Sequence, residues 1–85
     1  MATISRKCEG SLEKARNNPR GLKFAELQKL AECFGYEHSR TSGSHHIYKH
    51  VDVKAVLNMQ PDGRDAKAYQ VKQLLDQVDE LGLTL

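Results

Sequence analysis

The sequence has no long run of apolar residues, and this absence excludes several classes of protein. None of its runs approaches the roughly 18 to 20 consecutive apolar residues of a membrane-spanning helix. Its first seven residues, Met-Ala-Thr-Ile-Ser-Arg-Lys, lack the apolar stretch of a secretory signal. Internal repeats and low-complexity tracts are also absent from the sequence. We therefore expect one small cytoplasmic protein with a superficial active site, because 85 residues bury only a modest core.

Cysteine is scarce as well. The chain has two cysteines, Cys8 and Cys33, and two cysteines without a targeting signal are more often reduced thiols than a disulfide. Cys33 also fits the apolar face of a predicted helix, where an inert thiol is expected. The sequence therefore favours free thiols.

The net charge of +2 is small, but the charges are unevenly distributed. Residues 1–24 carry six basic and two acidic side chains, a net charge of +4, whereas residues 51–85 carry four basic and six acidic ones, a net charge of −2. The basic front indicates attraction to phosphate groups, with Arg20 and Lys23 as candidate RNA contacts. A solvated helix face explains the same charges equally well.

The spacing of apolar residues predicts three helices. The first covers residues 4–16, with Ile4, Cys8, Leu12 and Ala15 at helical spacing, and ends before Asn17-Asn18-Pro19. The second ends at Gly35 and has its apolar residues on one side, namely Phe24, Leu27, Leu30, Ala31 and Phe34. The third ends at Gly82 and has the clearest pattern, with Val71, Leu74, Leu75, Val78 and Leu81.

Three β-prone runs lie between the last two helices. They cover Tyr36–Arg40, His46–His50 and Val53–Met59, and Pro61-Asp62-Gly63 ends the third. The segment Thr41-Ser42-Gly43-Ser44 reverses the chain, so the first two strands form a hairpin. The predicted fold class is α+β: helix, three antiparallel strands and helix, with the two helices on one face of the sheet and an extra N-terminal helix.

Four histidines, His38, His45, His46 and His50, lie within thirteen residues around this hairpin and suggest a metal site. Strand geometry argues against such a site. His45 and His46 point to opposite faces, and His46 and His50 lie about 13 Å apart at roughly 3.3 Å per residue. No cysteine or carboxylate spacing resembles a zinc signature either. We therefore expect no metal site.

One of these imidazoles is suited to phosphodiester cleavage without a metal. An imidazole that titrates near neutral pH takes the proton of a ribose 2′-hydroxyl and returns a proton to the departing 5′-oxygen. A nearby cation stabilises the charge that develops on the phosphate, and Arg40, Lys49 and His50 are the candidates. A serine hydrolase is not indicated, because no acidic residue stands beside Ser42 or Ser44.

Two questions about the hairpin stay open at this point. Either His45 and His46 merely flank the turn, one half-buried and one solvated, or one of them is catalytic. Tyr48 either stacks on a base or belongs to the core, since the alternation of the strand does not decide whether Ile47 or Tyr48 faces inward.

Several segments together resemble the HicA (YcfA-like) toxins of bacterial toxin–antitoxin pairs. The resemblance covers about residues 22–83. It is carried by Phe24-Ala25-Glu26-Leu27, by Phe34-Gly35-Tyr36, by residues 40–50 around Gly43-Ser44-His45-His46, by Leu57-Asn58-Met59-Gln60-Pro61 and by Tyr69-Gln70-Val71. The fold of that family is similar to a double-stranded-RNA-binding domain, and its order of elements agrees with the order predicted above.

The resemblance implies a metal-independent endoribonuclease, an mRNA interferase without cofactor, which a HicB-like antitoxin holds inactive. The essential histidine of the family maps to His46, and Gly43 and Ser44 map to the turn that presents it. His45 ranks lower, because family members replace this neighbour. The alternative is a non-catalytic RNA-binding module of the same fold.

The resemblance also suggests a division of the chain. Residues 1–21 are a basic helical extension, and residues 22–85 are the HicA-like domain. Three roles are open for the extension: it widens the contact with RNA, it helps to hold the antitoxin, or it caps the sheet.

Overall fold

The computed structural model describes residues 6–85 and confirms the predicted α+β architecture. The elements are α1 (Arg6–Asn17), a short 3₁₀ turn (Pro19–Gly21), α2 (Phe24–Cys33), β1 (Glu37–Ser42), β2 (His45–His50), β3 (Val53–Met59), β4 (Pro61–Asp62), β5 (Asp65–Ala66) and α3 (Ala68–Leu81). Ile4, which we assigned to the first helix, lies outside the described residues. Within the described part of the chain, no helix combines the length and the apolar character needed to cross a membrane.

The three longer strands form an antiparallel sheet in the order β1-β2-β3. Tyr48 in the central strand pairs with Leu57 in β3, and both side chains are buried. Because side chains alternate between the faces of a strand, these residues define the face that packs on the helices. Tyr48 therefore faces inward, which answers the question that the sequence left open.

One hydrophobic core joins this face of the sheet to all three helices. Leu27 and Leu30 of α2 and Val71 and Leu74 of α3 are fully buried in it. Ala15 of α1 is fully buried in the same cluster. The N-terminal extension thus shares the core of the domain, and the division at residue 21 stays a prediction.

The helices end where the sequence indicated. Gly35 follows α2 with φ +96°, and Gly82 caps α3 with φ +66°, both in the left-handed region that favours glycine. The start of α2, for which the sequence shows no clear cap, is capped by Glu26. Its carboxylate accepts the backbone N–H of Lys23 at 2.9 Å, and this bond, followed by one from Lys14, lowers the pKa of Glu26.

The chain after β3 contains an element that the sequence did not predict. β3 ends at Met59, as Pro61-Asp62-Gly63 indicated, and β4 and β5 then pair as a small antiparallel ribbon. The Phe24 N–H donates to the carbonyl of Arg64 at 2.9 Å, and the ribbon is thereby attached to the start of α2. These contacts join segments about 40 residues apart in the sequence, so no local pattern reports them.

Gln70, a buried polar residue of α3, holds the end of β3 in place. Its side-chain carbonyl accepts the backbone N–H of Gln60 at 2.8 Å, and its amide donates to the backbone carbonyl of Asn58 at 3.1 Å. The residue is 4% exposed. Both backbone groups at this strand end are therefore satisfied without water.

The expectation of free thiols was wrong, because Cys8 and Cys33 form a disulfide with Cα atoms 6.0 Å apart. Cys8 lies in the first turn of α1, and Cys33 is the last residue of α2. Lys14, near the other end of α1, pairs with Glu26 in the first turn of α2 at 3.0 Å. The two helices are therefore antiparallel neighbours, an arrangement that the spacing of the cysteines in the sequence does not reveal.

Reduction of this disulfide should lower the free energy of unfolding by about 3 kcal/mol, because the bond closes a loop with a sequence separation of 25 residues. Urea unfolding of the parent protein with and without reductant measures the difference. Cys33→Ser is the matched control, and its midpoint should not respond to reductant. Equal parental midpoints in both conditions would show that the disulfide does not contribute to stability.

Candidate functional site

The turn between β1 and β2 consists of Gly43 and Ser44 alone. Ser42 pairs with His45 across this turn, so Thr41 and Ser42 belong to the strand and not to the loop. Gly43 has φ +60°, and no non-glycine residue among residues 6–85 has a positive φ. A positive φ at the first loop residue only is characteristic of a type II′ turn. This turn sets the register in which Thr41 lies opposite His46.

His46 lies on the helix-facing side of β2 and is half-buried. Its ring makes an edge contact with the ring of Phe24, the first residue of α2, at 4.9 Å between centroids. Its Nδ1 lies 3.5 Å from Oγ1 of Thr41. Its Nε2 has no hydrogen-bond partner within residues 6–85. One ring nitrogen therefore makes no hydrogen bond within the described residues.

A β-bulge brings His38 to the cluster that His46 forms with Phe24 and Thr41. The pairing of β1 with β2 shifts between His38 and Arg40, so Ser39 is an extra residue in β1. In a regular strand His38 and Thr41 would point to opposite faces. With the bulge they share one face, and His38 Nε2 lies 2.7 Å from Thr41 Oγ1. The rings of His38 and His46 are 6.1 Å apart.

His45 lies on the opposite face of the sheet, as the sequence predicted. Its Nδ1 lies 3.0 Å from Asn58 Oδ1, and its Nε2 lies 2.8 Å from the side-chain amide nitrogen of Gln60. With a hydrogen on Nδ1, the ring donates to Asn58 and accepts from Gln60. Both ring nitrogens of this exposed histidine therefore make hydrogen bonds. The sequence analysis had ranked His45 below His46 as a catalytic candidate.

His50 connects the end of β2 to the end of α2. Its Nε2 donates to the carbonyl of Phe34 at 3.0 Å, and its Nδ1 accepts the backbone N–H of Asp52 at 3.0 Å. These two bonds require the neutral ring with its hydrogen on Nε2. A Cβ at Gly35 would lie 3.0 Å from the same Nε2. The geometry gives His50 a structural role, whereas the sequence had proposed it as a phosphate contact.

Tyr48 does not offer a surface for stacking on a base. Its side chain is 2% exposed and belongs to the core cluster. Burial raises the pKa of its hydroxyl, and the neighbouring Gln28 of α2 acts in the opposite direction. The ring therefore lies between the sheet and α2.

The candidate cations Arg40 and Lys49 lie on the other face of the sheet from His46. Arg40 pairs with Ile47, and Lys49 pairs with Glu37, so both alternate with the inward-facing residues. They are close to His46 in sequence, but the sheet separates them from its ring. Arg20 is exposed in the 3₁₀ turn, and the exposed Lys23 forms an ion pair with Asp65 at 3.1 Å.

Arg64 is a cation that the sequence analysis missed. It is exposed and lies in the ribbon, where its carbonyl accepts the N–H of Phe24. The ring of Phe24 in turn contacts His46. No ion-pair partner of Arg64 is found in the described part of the chain. The backbones of Lys23 and Arg64 therefore adjoin Phe24, the residue against which His46 packs.

Part of the basic front pairs with acidic groups of the same chain. Arg16 makes two hydrogen bonds to Asp79 of α3, at 2.8 and 3.1 Å, and these bonds lower the pKa of Asp79. Lys14 pairs with Glu26. Such exposed pairs contribute little stability, but they account for some of the contrast between a basic front and an acidic tail.

Two other features of the surface do not form an acid–base or metal site. Among residues 6–85, no group of three or more His, Cys, Asp or Glu side chains is arranged to hold a metal ion. A groove of about 700 Å³ lies between α1 and α2 and is lined in part by Lys14, Lys29 and the disulfide. The groove contains no histidine.

Comparison with known proteins identifies a family. The family model described as HicA toxin of bacterial toxin-antitoxin matches residues 24–79, from the start of α2 to near the end of α3. No curated protein and no solved structure matches the chain. The matched segment contains the turn, His46 and the other residues of the cluster, and it covers more than half of the sequence. The chain therefore belongs to the HicA toxin family of bacterial toxin–antitoxin systems.

Proposed function

We propose that this toxin is a metal-independent endoribonuclease that cleaves mRNA, with His46 as the general base and acid. The observation that carries the proposal is the free Nε2 of a half-buried imidazole. Contact with Phe24 orients the ring, and partial exposure leaves it within reach of a substrate. A general base needs both properties, since it must stand within hydrogen-bond distance of the proton that it removes.

The cleavage step balances without water or a metal ion. The Nε2 lone pair takes the proton of a ribose 2′-hydroxyl, and the 2′-oxygen forms a bond to phosphorus. The bond from phosphorus to the 5′-oxygen breaks, and the imidazolium returns the proton to that oxygen. The products are a 2′,3′-cyclic phosphate and a 5′-hydroxyl.

Positive charge is available on the side of the sheet where His46 lies. Helix α2 begins at Phe24, so the positive end of its dipole is next to the imidazole. Lys23, whose ammonium pairs with Asp65 in an exposed ion pair, and Arg64 are exposed near the same residue. Groups of this kind stabilise the charge that develops on the phosphate during cleavage.

The partner that this site suits is a HicB-like antitoxin with acidic or substrate-mimicking groups. Such a protein would cover His46 and pair with Lys23 and Arg64, because charge complementarity steers association and selects partners. Inhibition would then follow from exclusion of RNA from the imidazole.

His46→Ala should lower the rate of RNA cleavage at least about 100-fold, because general acid–base catalysis contributes roughly 10² to 10⁴. A labelled transcript is incubated with purified protein and chelator and resolved on a denaturing gel. His45→Ala is the matched neighbour and should have a much smaller effect, since its ring bonds to the other face of the sheet.

Circular dichroism of both variants verifies that the fold is retained. Cleavage by His46→Ala at the parental rate would remove His46 from the mechanism. An intact transcript in a shifted native band, with no fragments from the parent protein, would favour the non-catalytic RNA-binding module.

Arg64→Gln should raise KM for RNA about three- to fivefold, which is the effect of losing one exposed ionic contact. The slope of the logarithm of the binding constant against the logarithm of the salt concentration should become less steep by about one. Arg40→Gln is the matched variant on the other face of the sheet and should change KM less. Filter binding at several salt concentrations and initial cleavage rates measure both effects. A larger effect of Arg40→Gln would place the RNA on the open face of the sheet.

A further inference from the structure

Thr41 is the one hydrogen-bond partner of the His46 ring within the described residues, and it contacts a second histidine at the same time. Its Oγ1 lies 3.5 Å from His46 Nδ1 and 2.7 Å from His38 Nε2. A hydroxyl carries a single hydrogen, and a neutral imidazole carries a hydrogen on only one nitrogen. The hydroxyl can therefore donate to His38 or to His46, but not to both.

The two distances favour donation to His38. The contact with His38 Nε2, at 2.7 Å, is shorter than the mode of roughly 2.9 to 3.0 Å for bonds in which an N–H donates to an oxygen, and it is closer to the mode of roughly 2.7 to 2.8 Å for bonds between a hydroxyl and an oxygen. Nδ1 of His46, at 3.5 Å, then faces a lone pair of Oγ1. A lone pair at this position favours a hydrogen on Nδ1 of His46, which leaves the lone pair of its ring on Nε2.

We propose that Thr41, anchored by His38, is a positioning residue that selects the His46 tautomer in which Nε2 is the base. The proposal rests on the nuclease function proposed above, because only that function requires a base at Nε2. It adds two residues, His38 and Thr41, to which the sequence analysis gave no role in the reaction.

Several local features hold this arrangement in place. Thr41 is the cross-strand partner of His46, and the bulge at Ser39 is what turns His38 to the same face. The ring of His38 also packs against the ring of Tyr48 at 5.3 Å between centroids. Tyr48 is buried, so the anchor rests on a fixed part of the core.

The contribution of Thr41 should increase as the reaction proceeds. When Nε2 takes the proton, the ring becomes a cation and its Nδ1–H donates a charge-assisted bond to Oγ1. Hydrogen bonds in apo sites are often long and shorten in the complex with substrate. An interaction that strengthens in the transition state affects kcat more than KM.

Thr41→Val, which keeps the shape of the side chain and removes its hydroxyl, should lower kcat about ten- to hundredfold and change KM by less than about twofold. Thr41→Ser should restore most of the parental kcat. Thr84→Val, the same change at an exposed position near the end of the chain, is the control.

A second readout does not depend on cleavage. The ¹⁵N shifts of the His46 ring, recorded on the full chain near pH ~8 where histidine is ordinarily neutral, report which nitrogen carries the hydrogen. The parent protein and Thr41→Ser should show it on Nδ1, and Thr41→Val should show it moved toward Nε2. If the parent protein cut no RNA, the nuclease would be refuted while this tautomer shift could still be observed.

Three results would overturn the inference. The first is an unchanged tautomer in Thr41→Val, and the second is a loss of activity that appears only in KM. The third concerns His38→Gln: if a substrate with a sulfur leaving atom in place of the 5′-oxygen restored its activity, His38 would be the catalytic acid and not an anchor.

Discussion

The pairing of β1 with β2 is the constraint on which the rest of the site depends. The type II′ turn at Gly43 and Ser44 sets the register, and the bulge at Ser39 shifts that register by one residue in the middle of the hairpin. Because side chains alternate along a strand, this register assigns each histidine to a face. It places His46 against Phe24 and groups it with Thr41, while His45 bonds to the opposite side.

Local sequence pattern was sufficient for the three helices and for the three longer strands. Apolar spacing and the glycines at positions 35 and 82 located α2 and α3, and the resemblance singled out His46. The disulfide, the ribbon around Arg64 and the bulge were not predictable in this way. Each depends on contacts between distant segments or on the register of a strand pair, and a one-residue change of register exchanges the faces of a strand. Proximity in sequence therefore misplaced Arg40 beside the imidazole.

The N-terminal helix α1 is attached to the rest of the domain more firmly than a solvent-exposed basic extension would require. A disulfide, a buried Ala15 and the pair between Arg16 and Asp79 attach α1 to α2 and α3. The family match begins only at residue 24. The helix thus supports the layer that carries Phe24, the residue against which His46 packs, and part of its charge pairs with acidic groups of the same chain.

Attack by a ribose 2′-hydroxyl, started by the free Nε2 of His46, is the central claim. The most direct measurement uses a transcript with a single 2′-deoxy nucleotide on the 5′ side of the mapped cleavage position, incubated with the protein and chelator. The account predicts that this linkage resists cleavage, while the unmodified transcript yields a fragment ending in a 2′,3′-cyclic phosphate. Cleavage of the deoxy linkage at the normal rate would contradict the account, because the nucleophile would then come from elsewhere.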